Sequence, residues 1–427
     1  MNIAIFTDTY LPKIDGIAVS VDHFCRILAD RGHTFTICCP KYKEGDGPDY
    51  GPSIQMFRFK NAALPSYHDV KVVLPSQKKI VHAVSDFGAD VIHIQTPGLL
   101  GQYGVLASKM FGIPVVGTYH TLVSEQEVYL SFYRLLKVDK MLDYFVANKS
   151  IKKRLEKIEK VEQFATGPAK KAVIRKLANK LYEACETIIT PSQMIKKELL
   201  DHGVRQPIEV ISNGMDFSLF KNGVVKELPK DRPVKLLHVG RISFEKNVEV
   251  VLRVIPLLKQ KYPGITLDVY GDGPALSAMK IEAKQLGIEA DVVFHGFVSR
   301  QSLPEVYPNY DLFLTASTME TQGLVVLEAM ASGLPCVGVD AFALPELIQE
   351  GRNGFVVEPG RHEHMAERVS RILDDGELYQ KFSTESLEIA RTHNIIECAD
   401  RLESLYERVI TLYQNRHLKI GAAQEGD

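Results

Sequence analysis

Lys235-Leu236-Leu237-His238-Val239-Gly240-Arg241-Ile242-Ser243-Phe244-Glu245-Lys246-Asn247 is a short apolar run that enters a glycine turn and then the amphipathic stretch Glu249 to Lys261. A strand followed by a helical period is the repeating unit of a parallel sheet, because the chain must cross back before a parallel neighbour can pair. The unit recurs downstream, with strands at Thr266 to Tyr270, Val292 to Phe294, Leu312 to Thr315 and Cys336 to Val339, and a helix at Leu276 to Leu286. It recurs upstream too, with strands at Asn2 to Thr7, Thr34 to Cys38, Val91 to Ile94 and Val115 to Tyr119, and a helix from about Val19 to Asp30. The fold class this predicts is α/β, with two doubly wound domains.

Between the two sets, Val210-Ile211-Ser212-Asn213-Gly214 ends a strand in a turn signal, and the polar stretch Lys221 to Arg232 reads as connecting chain. The expected domains are therefore 1–214 and 215–394. The Ile396, Leu402, Leu405, Val409 and Leu412 spacing predicts a final helix, and 395–427 is assigned to the first domain.

A chain of 427 residues, 45% hydrophobic and 24% charged, can bury two cores, which argues against disordered and fibrous classes. Cys25, Cys38, Cys39, Cys185, Cys336 and Cys398 show no CxxC or zinc-site spacing and read as reduced, buried thiols of a cytoplasmic protein. Met1 leads straight into Ile3-Ala4-Ile5-Phe6 without the pattern of a secretory leader. No apolar run approaches the roughly 18 residues that span a bilayer, so any membrane contact is expected to be peripheral. Charge is uneven: residues 149–180 hold 11 Lys or Arg against 3 Glu in a chain whose overall charge is -2.

Ligands of open parallel sheets sit beyond the carboxyl ends of the strands, so the loops there carry the chemistry. After the first strand, the turn-rich Thr7 to Ile17 segment places Gly16 at a helix start, where free amides suit either a phosphate or a plain structural turn. Arg241 and Lys246, on one strand-to-helix loop, could neutralise a departing diphosphate or be no more than surface cations capping ordinary loops. In Glu320-Thr321-Gln322-Gly323-Leu324-Val325-Val326-Leu327-Glu328-Ala329-Met330-Ala331-Ser332-Gly333-Leu334-Pro335, Glu320 falls in a loop and Glu328 two turns along a helix. Carboxylates accept from neighbouring sugar hydroxyls, and helix-start amides suit an anion. The plainer alternative makes Glu320 a dipole partner and Glu328 a solvated helix residue.

Taken together, Gly16, Gly240-Arg241 with Lys246, Tyr270-Gly271-Asp272-Gly273-Pro274, and Glu320 with Glu328 before Ala-Met-Ala-Ser-Gly-Leu-Pro resemble the retaining family 4 of GT-B glycosyltransferases, from Met1 to about Arg391. The resemblance implies two facing Rossmann-like domains with an interdomain active-site cleft, an acceptor-binding first domain and a nucleotide-sugar-binding second one. It assigns Arg241 and Lys246 to the donor phosphates, Glu328 to the ribose, and Glu320 with the amides of Gln322, Gly323 and Leu324 to the transferred sugar. Gly16 and Gly240 fall beside the diphosphate, Gly271 and Gly273 let backbone line the cleft, and Phe297-Val298 meets the nucleobase. His120, in Gly117-Thr118-Tyr119-His120-Thr121, matches the histidine the family places near the reacting sugar. The implied mechanism is front-face, with the departing phosphate oxygen taking the acceptor's proton. No Asp-X-Asp motif stands in a suitable loop, so magnesium is expected at most to stimulate, and no cofactor is obligatory beyond the nucleotide sugar.

From Glu127 to Val146 the chain is apolar and aromatic, with Tyr129, Phe132 and Tyr133, and it leads into Lys152, Lys153, Arg154 and Lys157. That combination suits an anionic bilayer surface, each nearby cation contributing about 1 kcal/mol; a helix pair with a solvated basic face is the alternative. With Gln322 where many relatives have Phe, the chain looks similar to bacterial diacylglycerol glucosyltransferases. That points to UDP-glucose as donor, diacylglycerol as acceptor, and a peripheral place on the inner membrane face. A GDP-mannose-dependent mannosyltransferase shares the same donor motifs. A catalytically idle membrane module and a nicotinamide oxidoreductase are weaker alternatives, the first because the cleft residues are intact, the second because GxGxxG is absent. Nucleic acid is not an expected partner.

Overall fold

The computed structural model describes residues 1–13, 15–42, 48–64, 67–73, 76–120, 178–220 and 223–424. Two compact units emerge: Met1–Pro191, Lys196–Ile211 and Ala399–Asp427 form the first, and Ser192–Ile195 with Ser212–Cys398 the second.

The first unit is built on seven parallel strands: β1 (Asn2–Phe6), β2 (Thr34–Pro40), β3 (Ile54–Phe59), β6 (Val91–Ile94), β7 (Val115–Thr118), β8 (Thr187–Thr190) and β9 (Ile208–Val210), in the order β3-β2-β1-β6-β7-β8-β9. A separate hairpin, β4 (Asn61–Leu64) with β5 (Tyr67–Val73), is antiparallel. Every residue of β6, β7 and β8 is buried, as strands covered on both faces require. Strand order reverses between β1 and β6, which makes their carboxyl ends the ligand-binding edge. The helix Gly16–Asp30 starts where the Asp15 carboxylate accepts from the Ala18 N–H at 2.9 Å, and it buries Ala18, Val21, Cys25 and Leu28.

The helix Ile395–Gln424 belongs to this unit from Ala399 onward. The stripe it buries is Ile395, Cys398, Ala399, Leu402, Leu405, Tyr406 and Val409, whereas Ile396 and Leu412 are exposed. The sequence stripe was therefore rotated: the period runs from Ile395 through Cys398 and Ala399, and Tyr406 extends it beside Leu405. Arg31 pairs with Asp400 and Glu403, but such exposed pairs contribute at most about 1 kcal/mol, so the apolar stripe holds the helix.

The second unit repeats the plan with six parallel strands: β10 (Lys235–Val239), β11 (Thr266–Tyr270), β12 (Val292–Gly296), β13 (Leu312–Leu314), β14 (Cys336–Val339) and β15 (Gly354–Val357), in the order β12-β11-β10-β13-β14-β15. The order reverses between β10 and β13. Leu236, Leu237, Val251, Val254, Phe313 and Met330 lie in its core. All six cysteines are buried. Among the described residues no helix is long and apolar enough to cross a membrane.

Candidate active site

At the carboxyl edge of the second sheet, three loops lock together through their backbones. Gly240 N–H donates to Tyr270 O at 3.0 Å, Ile242 N–H to Asp272 O at 2.9 Å, and Gly271 N–H to Gly296 O at 2.8 Å. A Cβ on Gly271 would lie 1.8 Å from Gly240 O, and one on Gly273 2.3 Å from Ile242 O, so only glycine lets the loop after β11 brace the loop after β10. Asn247 adopts a left-handed conformation (φ 48°), which asparagine tolerates better than most residues. Its Nδ2 donates to Ala316 O at 3.0 Å and Thr318 Oγ1 at 3.2 Å, stitching the loop after β10 to the loop after β13.

That stitching brings Lys246 Nζ to 2.6 Å from Glu320 Oε1 at the point where strand order reverses, with side chains 21% and 16% exposed. Burial works to raise the Glu320 carboxyl, but the Lys246 charge and hydrogen bond outweigh it and hold Glu320 below the usual carboxylate range. Arg241 is exposed and makes no ion pair among the described residues. The helix Leu324–Ala331 follows Gly323 (φ 87°), and no side chain caps its start. Uncapped amides carry the positive end of the helix dipole, so this edge combines two cations and a helix N-terminus, an arrangement suited to a diphosphate, with a carboxylate for hydroxyls.

Below the pair lies His238, 2% exposed. Its Nδ1–H donates to Leu314 O at 2.9 Å, and burial lowers its pKa to about 4, so the ring is neutral and Nε2 is an acceptor. Nε2 has no hydrogen-bond partner among the described residues, and it faces the side-chain-free Gly240 turn.

In the first unit, Asp8 stands just beyond β1 and is 9% exposed. Thr96 Oγ1 donates to it at 2.5 Å and Leu100 N–H at 3.1 Å. Burial overrides these bonds and raises its pKa to about 6. His120 follows β7; its Nε2 lies 2.7 Å from Gln95 Oε1, and burial lowers its pKa to about 3.

Two family profiles match this chain. That of Glycosyltransferase Family 4 covers residues 14–219, and that of Glycosyl transferases group 1 covers residues 222–388. The chain belongs to glycosyltransferase family 4. It is a nucleotide-sugar-dependent transferase with the GT-B type of α/β fold. The alpha-monoglucosyldiacylglycerol synthase of Streptococcus pneumoniae is 27% identical over 79% of this chain and 70% of its own. The GDP-mannose-dependent alpha-mannosyltransferase of Corynebacterium glutamicum is 24% identical over 84% of this chain and 77% of its own. In fold, the chain is similar to Anabaena HepE in complex with UDP-glucose, with a TM-score of 0.67 and 20% identity over 96% of this chain and 100% of that one.

Among the residues expected to serve this family 4 transferase, the structure joins Gly240, Arg241, Lys246, Gly271, Gly273 and Glu320 at one sheet edge, with Phe297 exposed and Val298 half-buried in the loop after β12. Glu328 is 2% exposed and engaged elsewhere: Arg300 Nη2 lies 3.1 Å from Oε1, and Tyr307 Oη donates to Oε2 at 2.8 Å. It is thus not the solvated helix residue of the plainer alternative, and among the described residues no hydrogen bond links it to Lys246 or Glu320. The Gln322 side chain is spent on the connecting loop, donating to Ser212 Oγ at 2.5 Å and accepting from Asn213 N–H at 3.0 Å, so only its backbone is available to a ligand. Gly16 opens an exposed helix turn beside the Asp15 carboxylate, which places a negative charge next to the amide expected to meet phosphate.

Tyr129, Phe132, Tyr133, Lys152, Lys153, Arg154 and Lys157 lie outside the described residues. Sequence reasoning missed Gln95, His238, Arg300 and Tyr307. A signal for the first two was present: His93 and Gln95 alternate with Ile92 and Ile94, and His238 interrupts Leu-Leu-Val, and polar residues inside otherwise apolar strands need a reason to be buried.

Proposed function

We propose that this transferase moves α-glucose from UDP-glucose to a lipid hydroxyl, such as that of 1,2-diacylglycerol, at an anionic membrane surface, with retention at the anomeric carbon. The observation that carries the donor side is the Lys246–Glu320 pair beside Arg241 and the uncapped helix start. In this reading Arg241 and Lys246 stabilise the charge that develops on the diphosphate as the sugar C1–O bond breaks. Glu320 accepts from sugar hydroxyls, Phe297 and Val298 flank the base, and Glu328 contacts the ribose. The acceptor oxygen bonds to C1 on the face the diphosphate leaves, and its proton passes to the departing phosphate oxygen. His120 positions the sugar and the acceptor. Magnesium is not required for these steps.

The lipid acceptor is supported by the name of the Streptococcus pneumoniae relative, by the apolar and aromatic run at 127–146, and by the basic stretch at 149–180. The second reading, mannosyl transfer from GDP-mannose, is favoured by the Corynebacterium glutamicum relative. Purified protein incubated with UDP-glucose or GDP-mannose, with and without diacylglycerol vesicles, separates the two: turnover with UDP-glucose that requires vesicles supports the first, and turnover with GDP-mannose alone replaces it. Neutralising Lys152, Lys153, Arg154 and Lys157 together abolishes binding to anionic liposomes if the membrane reading holds; persistent binding defeats it.

A further inference from the structure

We propose that Gln95 is a positioning residue that fixes His120 as its Nε2–H tautomer, and that a buried chain through His93 to Tyr406 of the terminal helix holds Gln95 in place. The proposal rests on the reading that His120 serves sugar transfer.

The geometry begins where β6 and β7 run side by side, with Ile94 opposite Gly117. Gln95 extends β6 and is 5% exposed; His120 lies two residues beyond the end of β7. A carboxamide oxygen can only accept, so at 2.7 Å from Gln95 Oε1 the His120 Nε2 must carry the proton. Burial keeps His120 neutral, which leaves Nδ1 as a lone-pair acceptor. Locked this way, the ring offers a sugar or acceptor hydroxyl an oriented acceptor and no competing donor. The opposite tautomer would present N–H where an acceptor is needed.

The other end of the carboxamide rests on the face of the His93 ring. Gln95 Nε2 lies 3.1 and 3.2 Å from its two nitrogens, a spacing that sets the amide over the ring and not on a lone pair. His93 is itself 2% exposed and clasped by Tyr406 Oη on Nδ1 and Thr118 Oγ1 on Nε2, each at 2.6 Å. Burial lowers its pKa to about 3 and pushes the Tyr406 phenol up, so every member of the chain is neutral. Tyr406 is supplied by the helix Ile395–Gln424, which thereby sets the orientation of a group at the ligand edge of the first sheet without touching ligand. Fixed by a hydroxyl at each nitrogen, the His93 ring is a set surface against which the Gln95 amide packs.

The test combines selective 15N-histidine NMR, with the His120 signal assigned by its loss in His120→Asn, and steady-state kinetics on the full chain. Gln95→Met should raise the Nδ1–H population of His120 and lower kcat about tenfold with the affinity for UDP unchanged, while Gln95→Glu, which keeps an acceptor, should retain the Nε2–H signal. Tyr406→Phe should move both readouts in the same direction by less. UDP binding by each variant reports that it is folded. A Gln95→Met protein whose His120 signals are unchanged, or are shifted with kcat unaltered, overturns the proposal. A fully active His120→Ala variant removes the reading of His120 instead, while the Gln95→Met spectra still decide the hydrogen bond.

Discussion

Lys246 and Glu320, 74 residues apart in the chain, meet at 2.6 Å because Asn247 ties the loop that carries one to the loop that carries the other. Under the proposed function each meets a different part of the donor, so the pair is a preorganised charge couple that a diphosphate sugar would share. Arg241 differs: it is exposed and unpaired among the described residues. Arg241→Ala should therefore cut kcat roughly a hundredfold while leaving stability within about 0.5 kcal/mol. Lys246→Ala should lose comparable activity and also stability, on the order of 2 kcal/mol, because it strands the Glu320 carboxylate. Urea melts and initial rates on both variants check the split; equal melting losses would contradict it.

Glu328 holds Arg300 and Tyr307 and is assigned the ribose. Glu328→Gln keeps an acceptor for the Tyr307 hydroxyl but loses the charge. UDP affinity should fall about tenfold, the scale of one charge-assisted hydrogen bond, and the product should stay α-linked. Calorimetry and NMR of the product decide this; a β-linked product would remove Glu328 from its assigned role.

Gly271→Ala drives a methyl group into Gly240 O. The loop after β10 must then shift, at a cost of about 2–4 kcal/mol, and UDP binding should weaken with it. Retained stability together with retained UDP affinity would show that the braced loops are not what positions the site.

Asp8 supplies the pH dependence. Its carboxyl is raised from 3.8 to about 6, so between those values the folded protein binds the proton more tightly than the unfolded chain does. The stability this contributes is present at low pH and is lost as pH climbs from about 4 to about 6. Asp8→Asn removes the loss and should be more stable than the parent at pH 7, by up to about 3 kcal/mol, with the gap closing by pH 4. Urea midpoints at the two pH values measure it; a gap that widens toward pH 4 has the wrong sign.

The parallel plan of both units could be read in the sequence because apolar runs and helical periods are local signals; the strand order, with its reversals beside Gly240 and Thr7, came from the structure. The Lys246 and Glu320 loops were visible for the same reason. What the sequence concealed were partnerships between distant residues. The amides of Gln322 to Leu324 could be read at a helix start, but not that the Gln322 side chain anchors Ser212; Glu328 could have been solvated, yet it is buried against Arg300 and Tyr307. Tyr406 was hidden by a stripe placed on Ile396 and Leu412, since one helix offers several apolar faces and only packing selects among them.

The most direct test of the whole account is the anomeric proton signal of the glycolipid formed when this protein meets UDP-glucose and vesicles containing 1,2-diacylglycerol. An α-glucosyl product, lost in Arg241→Ala, is the predicted result. A β-glucosyl product, or no lipid product from UDP-glucose at any vesicle composition, would contradict it.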